Sequence, residues 1–311
     1  MAAEWPGPLA ALISLLRPQT VASKLVIGAG QWSVRYQRQP HASFCLVLSG
    51  ACFLAADGVG VLELKPGDFI FLPETPGFTL ARDLRFKPKQ TVPTSAPEAR
   101  HGSASGRVSM RMLGGYFRLD HANAPLVIKL LPPVVHIRRD ETGAARVRRI
   151  VELIVEEANA LRAGREPILD RLVEVLIIES LRFRVTSAAA QEHGLIAGLS
   201  DPALARALRG VHADIARRWT VAELARTAGM SRAVFAERFA QTVGMPPMQY
   251  VLEWRIAMAK DLLRRAQLGI AEVAEKVGYE STSGFSTAFS RSTGRSPRDF
   301  ASATADHPDR A

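Results

Sequence analysis

The spacing of apolar residues changes along the chain, and the changes divide it. Pro8 to Leu16 carry apolar residues at helical spacing, which predicts a short opening helix. From Ser23 to Leu80 the pattern becomes short alternating runs broken by glycine: Leu25–Ile27, Trp32–Tyr36, Ser43–Leu48, Cys52–Ala55, Val59–Leu64 and Phe69–Leu72. Alternation marks strands with one buried face, and many short strands at close spacing predict a small barrel or sandwich. Lys65-Pro66-Gly67-Asp68 reads as a turn. Lys87 to Arg107, rich in Pro, Ser, Ala and charge, is expected to be a long loop before a strand at Val108–Phe117. Helical spacing then returns in Glu141–Leu161 and Pro167–Arg184, with stripes such as Val147, Ile150, Val151 and Leu172, Val173, Leu176. Thr186 to Leu199 reads as a linker, and Ser200-Asp201-Pro202 as the cap of a helix with proline at its first position. The expected divisions are 1–137, 138–185, 186–199 and 200–305.

The last of these says nearly the same thing twice. Val221, Ala225 and Gly229 are answered by Ile270, Ala274 and Gly278 at an offset of 49. One extra residue in the second turn makes the offset 50, and Phe235, Phe239, Gly244, Pro247 and Tyr250 are answered by Phe285, Phe289, Gly294, Pro297 and Phe300. Each copy predicts a short helix, a glycine turn and a second helix. Thr220 with Glu223 has the form of a capping box, and Ser231 and Ser281 are natural N-caps for the second helices. The paired phenylalanines, spaced i, i+4, share one buried face. Between the copies, Met248 to Ala266 is rich in helix formers and free of proline and glycine. A helix of about 19 residues spans roughly 28 Å, near the 34–36 Å between successive major-groove turns of DNA.

The paired units, the joining helix and the closing Gly294, Ser296, Pro297 and Phe300 resemble the AraC family of bacterial transcription regulators over about the last 110 residues. The first part resembles the small-barrel cupin sensor domain found in front of some of those proteins. The residues that carry this are Leu15–Pro18, Pro66–Pro73, Gly114–Arg118 and Leu130–Ile137, within a match spanning most of residues 8 to 185. Together they imply an α+β chain: a cupin-like barrel with flanking helices over 1–137, a helical cover and dimerisation segment over 138–185, and an all-α domain of two helix-turn-helix units joined by a linker helix. The implied function is sequence-specific binding of double-stranded DNA at promoters or operators. A small-molecule effector in the barrel, a homodimer, RNA polymerase as a further partner and a cytoplasmic, nucleoid-associated location belong to the same expectation. Activation and repression both stay open. Cupin enzymes hold a metal with several histidines, but the position after Pro76-Gly77 holds Phe78, and only His41 remains near the first cluster, with Ser43 beside it. No metal and no cofactor are expected, since a metal needs three or four convergent ligands. His41 is the single, weak candidate for effector contact.

Composition changes this picture little. At 311 residues the chain is long enough for two substantial cores. Its net charge of +10 divides as 24 basic against 18 acidic residues up to position 200 and 16 against 12 beyond it. The charge suits a nucleic-acid partner without pointing to the helical half. No apolar run approaches a membrane span, and no signal-peptide pattern opens the chain. Cys45 and Cys52 lie in apolar runs, which favours packing over a redox role. A cupin-type enzyme with an accessory nucleic-acid module is the competing class, yet the barrel half offers no acid–base pair, phosphate loop or H-E-x-x-H. For DNA, the inward phenylalanines leave Arg232, Ala233, Ala236, Glu237 and the adjoining Arg238 as candidates on the first recognition helix. Thr282, Ser283, Ser286 and Thr287 are the candidates on the second. Arg232 suits phosphate or a guanine edge, and Glu237 suits cytosine N4.

Overall fold

The computed structural model describes residues 7–16, 19–92, 96, 98–119, 122–141, 143–160, 162–186, 193–265 and 268–305. α1 (Pro8–Leu16) precedes β1 (Gln19–Ala29), β2 (Ser33–Tyr36), β3 (Ala42–Gly50), β4 (Cys52–Ala56), β5 (Gly60–Leu64), β6 (Phe69–Leu72) and β7 (Phe78–Ala81). β8 (Lys89–Thr91), β9 (Glu98–Gly102), β10 (Val108–Arg118), α2 (Ala124–Leu130), β11 (Val135–Ile137), α3 (Ala144–Asn159) and α4 (Arg165–Thr186) follow. Helices complete the chain: α5 (Leu195–Ser200), α6 (Pro202–Ala213), α7 (Val221–Ala228), α8 (Arg232–Val243), α9 (Pro247–Arg265), α10 (Ile270–Lys276), α11 (Thr282–Thr293) and α12 (Pro297–Ala305). They gather into two compact units, one of residues 18–119 and 132–187, the other of 1–17, 120–131 and 188–311.

The first unit is built on two sheets, of order β11-β6-β3-β10-β1-β9 and β5-β4-β7-β2-β8. Alternation sends Val26, Val47, Ile70 and Met112 of the first and Val34, Leu54 and Leu80 of the second into one core. β6 reads Phe-Ile-Phe-Leu with no polar position, and all four residues are buried. Ile70 and Leu72 enter that core, whereas Phe69 and Phe71 stack with Phe44 and Phe117 outside it. α3 and α4 pack against β1, β6 and β11 of the same sheet, so β6 is covered on both faces and reads as a continuous apolar run. The Lys65–Asp68 turn is tied down by the buried Asp68 carboxylate, which accepts from the backbone N–H of Lys65 and of Arg139 and meets His136 Nε2 at 3.2 Å. The stretch 87–107, expected to be a loop, supplies β8 and β9, which pair in parallel with β2 and β1 at the sheet edges. Edge strands keep one side in water, so their polar composition hid them, and the main-chain ladder needs no particular side chains.

The second unit is helical. α1 and α2, from the stretch 1–137, pack here with each other, and α1 also meets α6 and α9. Leu12 and Leu15 of α1 are fully buried, as a helix with so few polar residues requires. Asp201 caps α6 by accepting from the N–H of Ala203 and Leu204. Of the expected linker 186–199, Leu195 onward forms α5, and residues 187–192 lie outside the described residues.

At the centre of this unit, His212 of α6 meets the Tyr250 hydroxyl at 2.7 Å through Nε2, and its ring stands edge-on to Trp254 at 4.4 Å. Burial pushes its pKa from 6.5 down to about 3, so the folded ring stays neutral. Between those values the unfolded chain binds a proton that the folded chain refuses. The contribution is therefore fully present above pH 6.5 and is lost as pH falls towards 3. Melts of the full chain should show the helical unit losing up to ~1.4 kcal/mol per pH unit below that point, and His212→Gln should flatten the dependence. An unchanged pH profile in the variant would contradict the neutral buried ring.

Candidate nucleic-acid interface

α7–α8 and α10–α11 are two copies of one construction. Thr220 closes a full capping box with Glu223 at the start of α7. Ser231 accepts from the N–H of Val234, and Ser281 from that of Gly284, so both second helices are capped alike. Gly244 and Gly294 end those helices at φ +84° and +73°. The aromatic packing repeats too. Phe235 and Phe239 lie 5.5 Å apart, and Phe285 and Phe289 lie 5.6 Å apart. Edge-on contacts then join Phe239 to Tyr250 at 5.6 Å and Phe289 to Phe300 at 5.4 Å. The same rings at the same spacing bury one face of α8 and of α11 and so turn the opposite face outward.

α9 belongs to both copies. Its first half gives Tyr250, Val251 and Trp254 to the core of the first, and its second half gives Ile256, Ala259 and Leu263 to the core of the second. At the junction sits Arg255. Its Nε donates to the Ile215 carbonyl at 3.0 Å, Nη2 to those of Ala216 and Arg217 at 3.3 and 2.8 Å, and Nη1 to that of Gly278 at 3.2 Å. The guanidinium also lies 5.8 Å over the Tyr279 ring, and burial lowers its pKa. One side chain thus joins the loop before α7 to the turn after α10. Gly278, at φ +82°, brings the backbones closer than any other residue allows: a Cβ there would stand 2.2 Å from the Ala216 carbonyl oxygen.

On α8, Arg232, Ala233 and Glu237 are exposed, Ala236 is half-buried, and Glu237 accepts from Gln241 Nε2 at 3.2 Å. Arg238 pairs with the Asp201 carboxylate at 2.6 Å, so its charge is engaged within the protein. On α11, Thr282, Ser283 and Thr287 are exposed and Ser286 is half-buried, while the Thr287 hydroxyl donates to the Ser283 carbonyl at 3.0 Å. The outward faces hold further residues that the sequence reading passed over. Val234 is 53% exposed, an apolar side chain suited to a thymine methyl, and Gln241 lies one turn beyond Glu237. Arg291 takes the place of Gln241 on the second copy. The signal for Gln241 and Arg291 was the repeat offset of 50 carried past the phenylalanines; Val234, whose counterpart is Gly284, had no such signal.

A second candidate site lies between the two sheets, where a cavity of about 220 Å³ opens. His41 lines it with its ring stacked on Tyr116 at 5.4 Å, and Phe78 lines it stacked on Tyr36 at 4.9 Å. Cys45 lines it as well. Burial pushes the Cys45 thiol up, with Cys52 adding to the effect, and pushes Cys52 up to about 12, which keeps both thiols protonated and poorly nucleophilic. Among the described residues, no group of three His, Cys, Asp or Glu is placed to hold a metal ion, and no helix is long and apolar enough to cross a membrane.

Comparison with known proteins meets this geometry from both ends. A cupin family pattern matches residues 7–185, and a helix-turn-helix domain pattern matches residues 224–303. A putative AraC-like transcription regulator of Streptomyces lividans is 33% identical over 94% of this chain and 97% of its own length. Its counterpart from Streptomyces antibioticus is 33% identical over the same shares. The HTH-type transcriptional regulator AlkR of Acinetobacter baylyi is 35% identical over 58% of this chain and 59% of its own.

The two turn glycines distinguish the junction from ordinary turn strain. Gly229 has φ +74°, but a Cβ there would meet nothing nearer than Arg206 Nη2 at 3.5 Å. Gly229→Ala should cost about 1 kcal/mol, and Gly278→Ala distinctly more, above ~2 kcal/mol, in denaturant melts of the full chain. Equal costs would mean that the close approach to Ala216 does not hold.

Proposed function

This chain belongs to the AraC-type transcription regulators, and from that premise we propose that it binds operator DNA through both α8 and α11, as a dimer, under the control of a small molecule held in the barrel cavity. The observation that carries the reading is the pair of like-built helix-turn-helix units fixed on one helix of 19 residues, with the outward faces of both second helices open. Such a helix spans roughly 28 Å, which suits two readers on successive major-groove turns. On α8, Arg232, Val234, Glu237 and Gln241 offer a cation, a methyl-bearing group, an acceptor and an amide, enough to discriminate base pairs. On α11, Ser283 and Thr287 are short, so that helix adds phosphate contacts through Arg291 more than base choice.

A second copy of the chain is the expected partner of α3 and α4. Leu153, Ile168 and Val175 on those helices are 50%, 45% and 40% exposed, and Ile168, Leu172 and Val175 follow one stripe of α4. Pairing two such stripes removes them from water at about 25 cal/mol per Å². A ligand in the barrel then acts by favouring one dimer arrangement over another, which selects the half-sites the readers reach together.

Fragments selected from genomic DNA by the full chain, with and without candidate metabolites, should share one motif. Arg232→Ala with Glu237→Ala should weaken binding to it by about tenfold or more and relax base preference. An unchanged footprint and affinity would remove those contacts. Light scattering should give a dimer at micromolar concentration and a monomer for Leu153→Asp with Val175→Asp; a monomeric parent chain would overturn the pairing.

A further inference from the structure

The internal repeat reaches further back than the helix-turn-helix units. Arg255 of α9 lies 49 positions after Arg206 of α6, the same offset that relates Ala225 to Ala274 and Gly229 to Gly278. Like Arg255, Arg206 directs its guanidinium at backbone carbonyls. Nη1 donates to that of Pro202 on its own helix at 3.2 Å, Nε to that of Thr227 at 3.2 Å and Nη2 to that of Ala228 at 2.7 Å. Thr227 and Ala228 end α7, where carbonyls lack helical partners and the helix dipole favours a cation. One planar group thus ties the end of α7 to α6.

A second charge on α6 reaches α8. One oxygen of Asp201 caps α6 by accepting from the N–H of Ala203 and Leu204, and the other meets Arg238 of α8 at 2.6 Å. The Asp201 side chain is only 12% exposed and is already fixed by the cap, so pairing orders one long side chain instead of two. α6 therefore holds α7 by its last turn and α8 at its middle, with only Gly229, Met230 and Ser231 between those helices. The second copy departs from this plan. Tyr250 and Ala288 stand where Asp201 and Arg238 would be repeated, and neither can form the ion pair. Arg255 supplies one arm to the second unit, through the Gly278 carbonyl, whereas α6 supplies two to the first.

Resting on the reading of DNA by α8 given above, we infer that Arg206, Asp201 and Arg238 are positioning residues that set the angle between α7 and α8. The double brace makes the first helix-turn-helix the base-selecting one, and none of the three has to touch DNA. A hydrogen bond to a base edge is directional, so a helix free to rock spreads Arg232 and Glu237 over geometries that fit no base well. Attraction to phosphate follows charge and tolerates the same motion. Loosening the brace therefore removes selectivity while leaving sequence-independent binding in place.

Three conservative variants of the full chain separate positioning from contact. Asp201→Asn keeps a side-chain acceptor for the cap but removes the ion, Arg238→Gln removes its partner, and Arg206→Lys keeps the charge but not the fork. Binding is measured to the selected operator and to duplexes changed at one base pair at a time, where the parent should lose roughly tenfold at each position read. In Asp201→Asn and Arg206→Lys that penalty should shrink to about twofold at the positions that Arg232→Ala with Glu237→Ala relaxes. Penalties elsewhere and the dependence of affinity on salt should stay parental, which also shows that the variants fold. Asp201→Asn combined with Arg238→Gln should be no worse than either alone. A uniform drop on every duplex with a shallower salt dependence would make these side chains phosphate contacts and overturn the brace. Parental selectivity in the variants, or additive losses at Asp201 and Arg238, would overturn it too while leaving α8 as the reader. If Arg232→Ala with Glu237→Ala relaxed no position, the reading of α8 itself would fail and the brace would fall with it.

Discussion

The helical unit depends on one half-buried cation held against carbonyl oxygens. Arg255 donates to the carbonyls of Ile215, Ala216, Arg217 and Gly278, groups that no helix or sheet ladder otherwise uses there. Removing it would take a donor from the part-buried carbonyls of Ile215, Ala216 and Gly278, while that of Arg217 keeps the Trp219 N–H. Each helix-turn-helix copy alone is too small to bury much apolar surface. Sharing α9 lets each draw half of its core from the same rod, and Arg255 stands where the halves meet. The spacing of α8 and α11 is then a property of the packed core and not of a linker.

The sheet unit follows a different rule. Its β6 strand is buried on both faces and so is apolar throughout, and the aromatic stack of Phe44, Phe69, Phe71 and Phe117 is kept outside the inner core. That division allows the space between the sheets to stay partly open, since the stability lost to a cavity is offset by packing under α3 and α4. The helical unit contains the repeated, tied-down geometry and the sheet unit the open space.

Much of this was legible in the sequence, for physical reasons that differ by element. The duplicated units showed because glycine at positive φ, serine at an N-cap and phenylalanine at i, i+4 are each demanded by local geometry. Even Tyr250 and Phe300 proved to occupy matching edge-on contacts. Arg255 did not show, because its partners are backbone carbonyls 23 to 40 positions away and a carbonyl has no residue identity. β8 and β9 were hidden by their polar, edge-strand composition. Arg238 looked available until Asp201, 37 positions earlier, was seen beside it. The cupin resemblance pointed to His41 and Phe78, and both line the cavity between the sheets.

The central claim is that the two helix-turn-helix units form one body before DNA is met. Electron-electron resonance distances between nitroxides at Arg226→Cys on α7 and Glu275→Cys on α10, in a chain with Cys45 and Cys52 replaced by alanine, test it directly. A single narrow distribution in the free protein that is unmoved by operator DNA, and that broadens on Arg255→Gln, is the result expected. A broad distribution in the free protein that narrows only on DNA would contradict it.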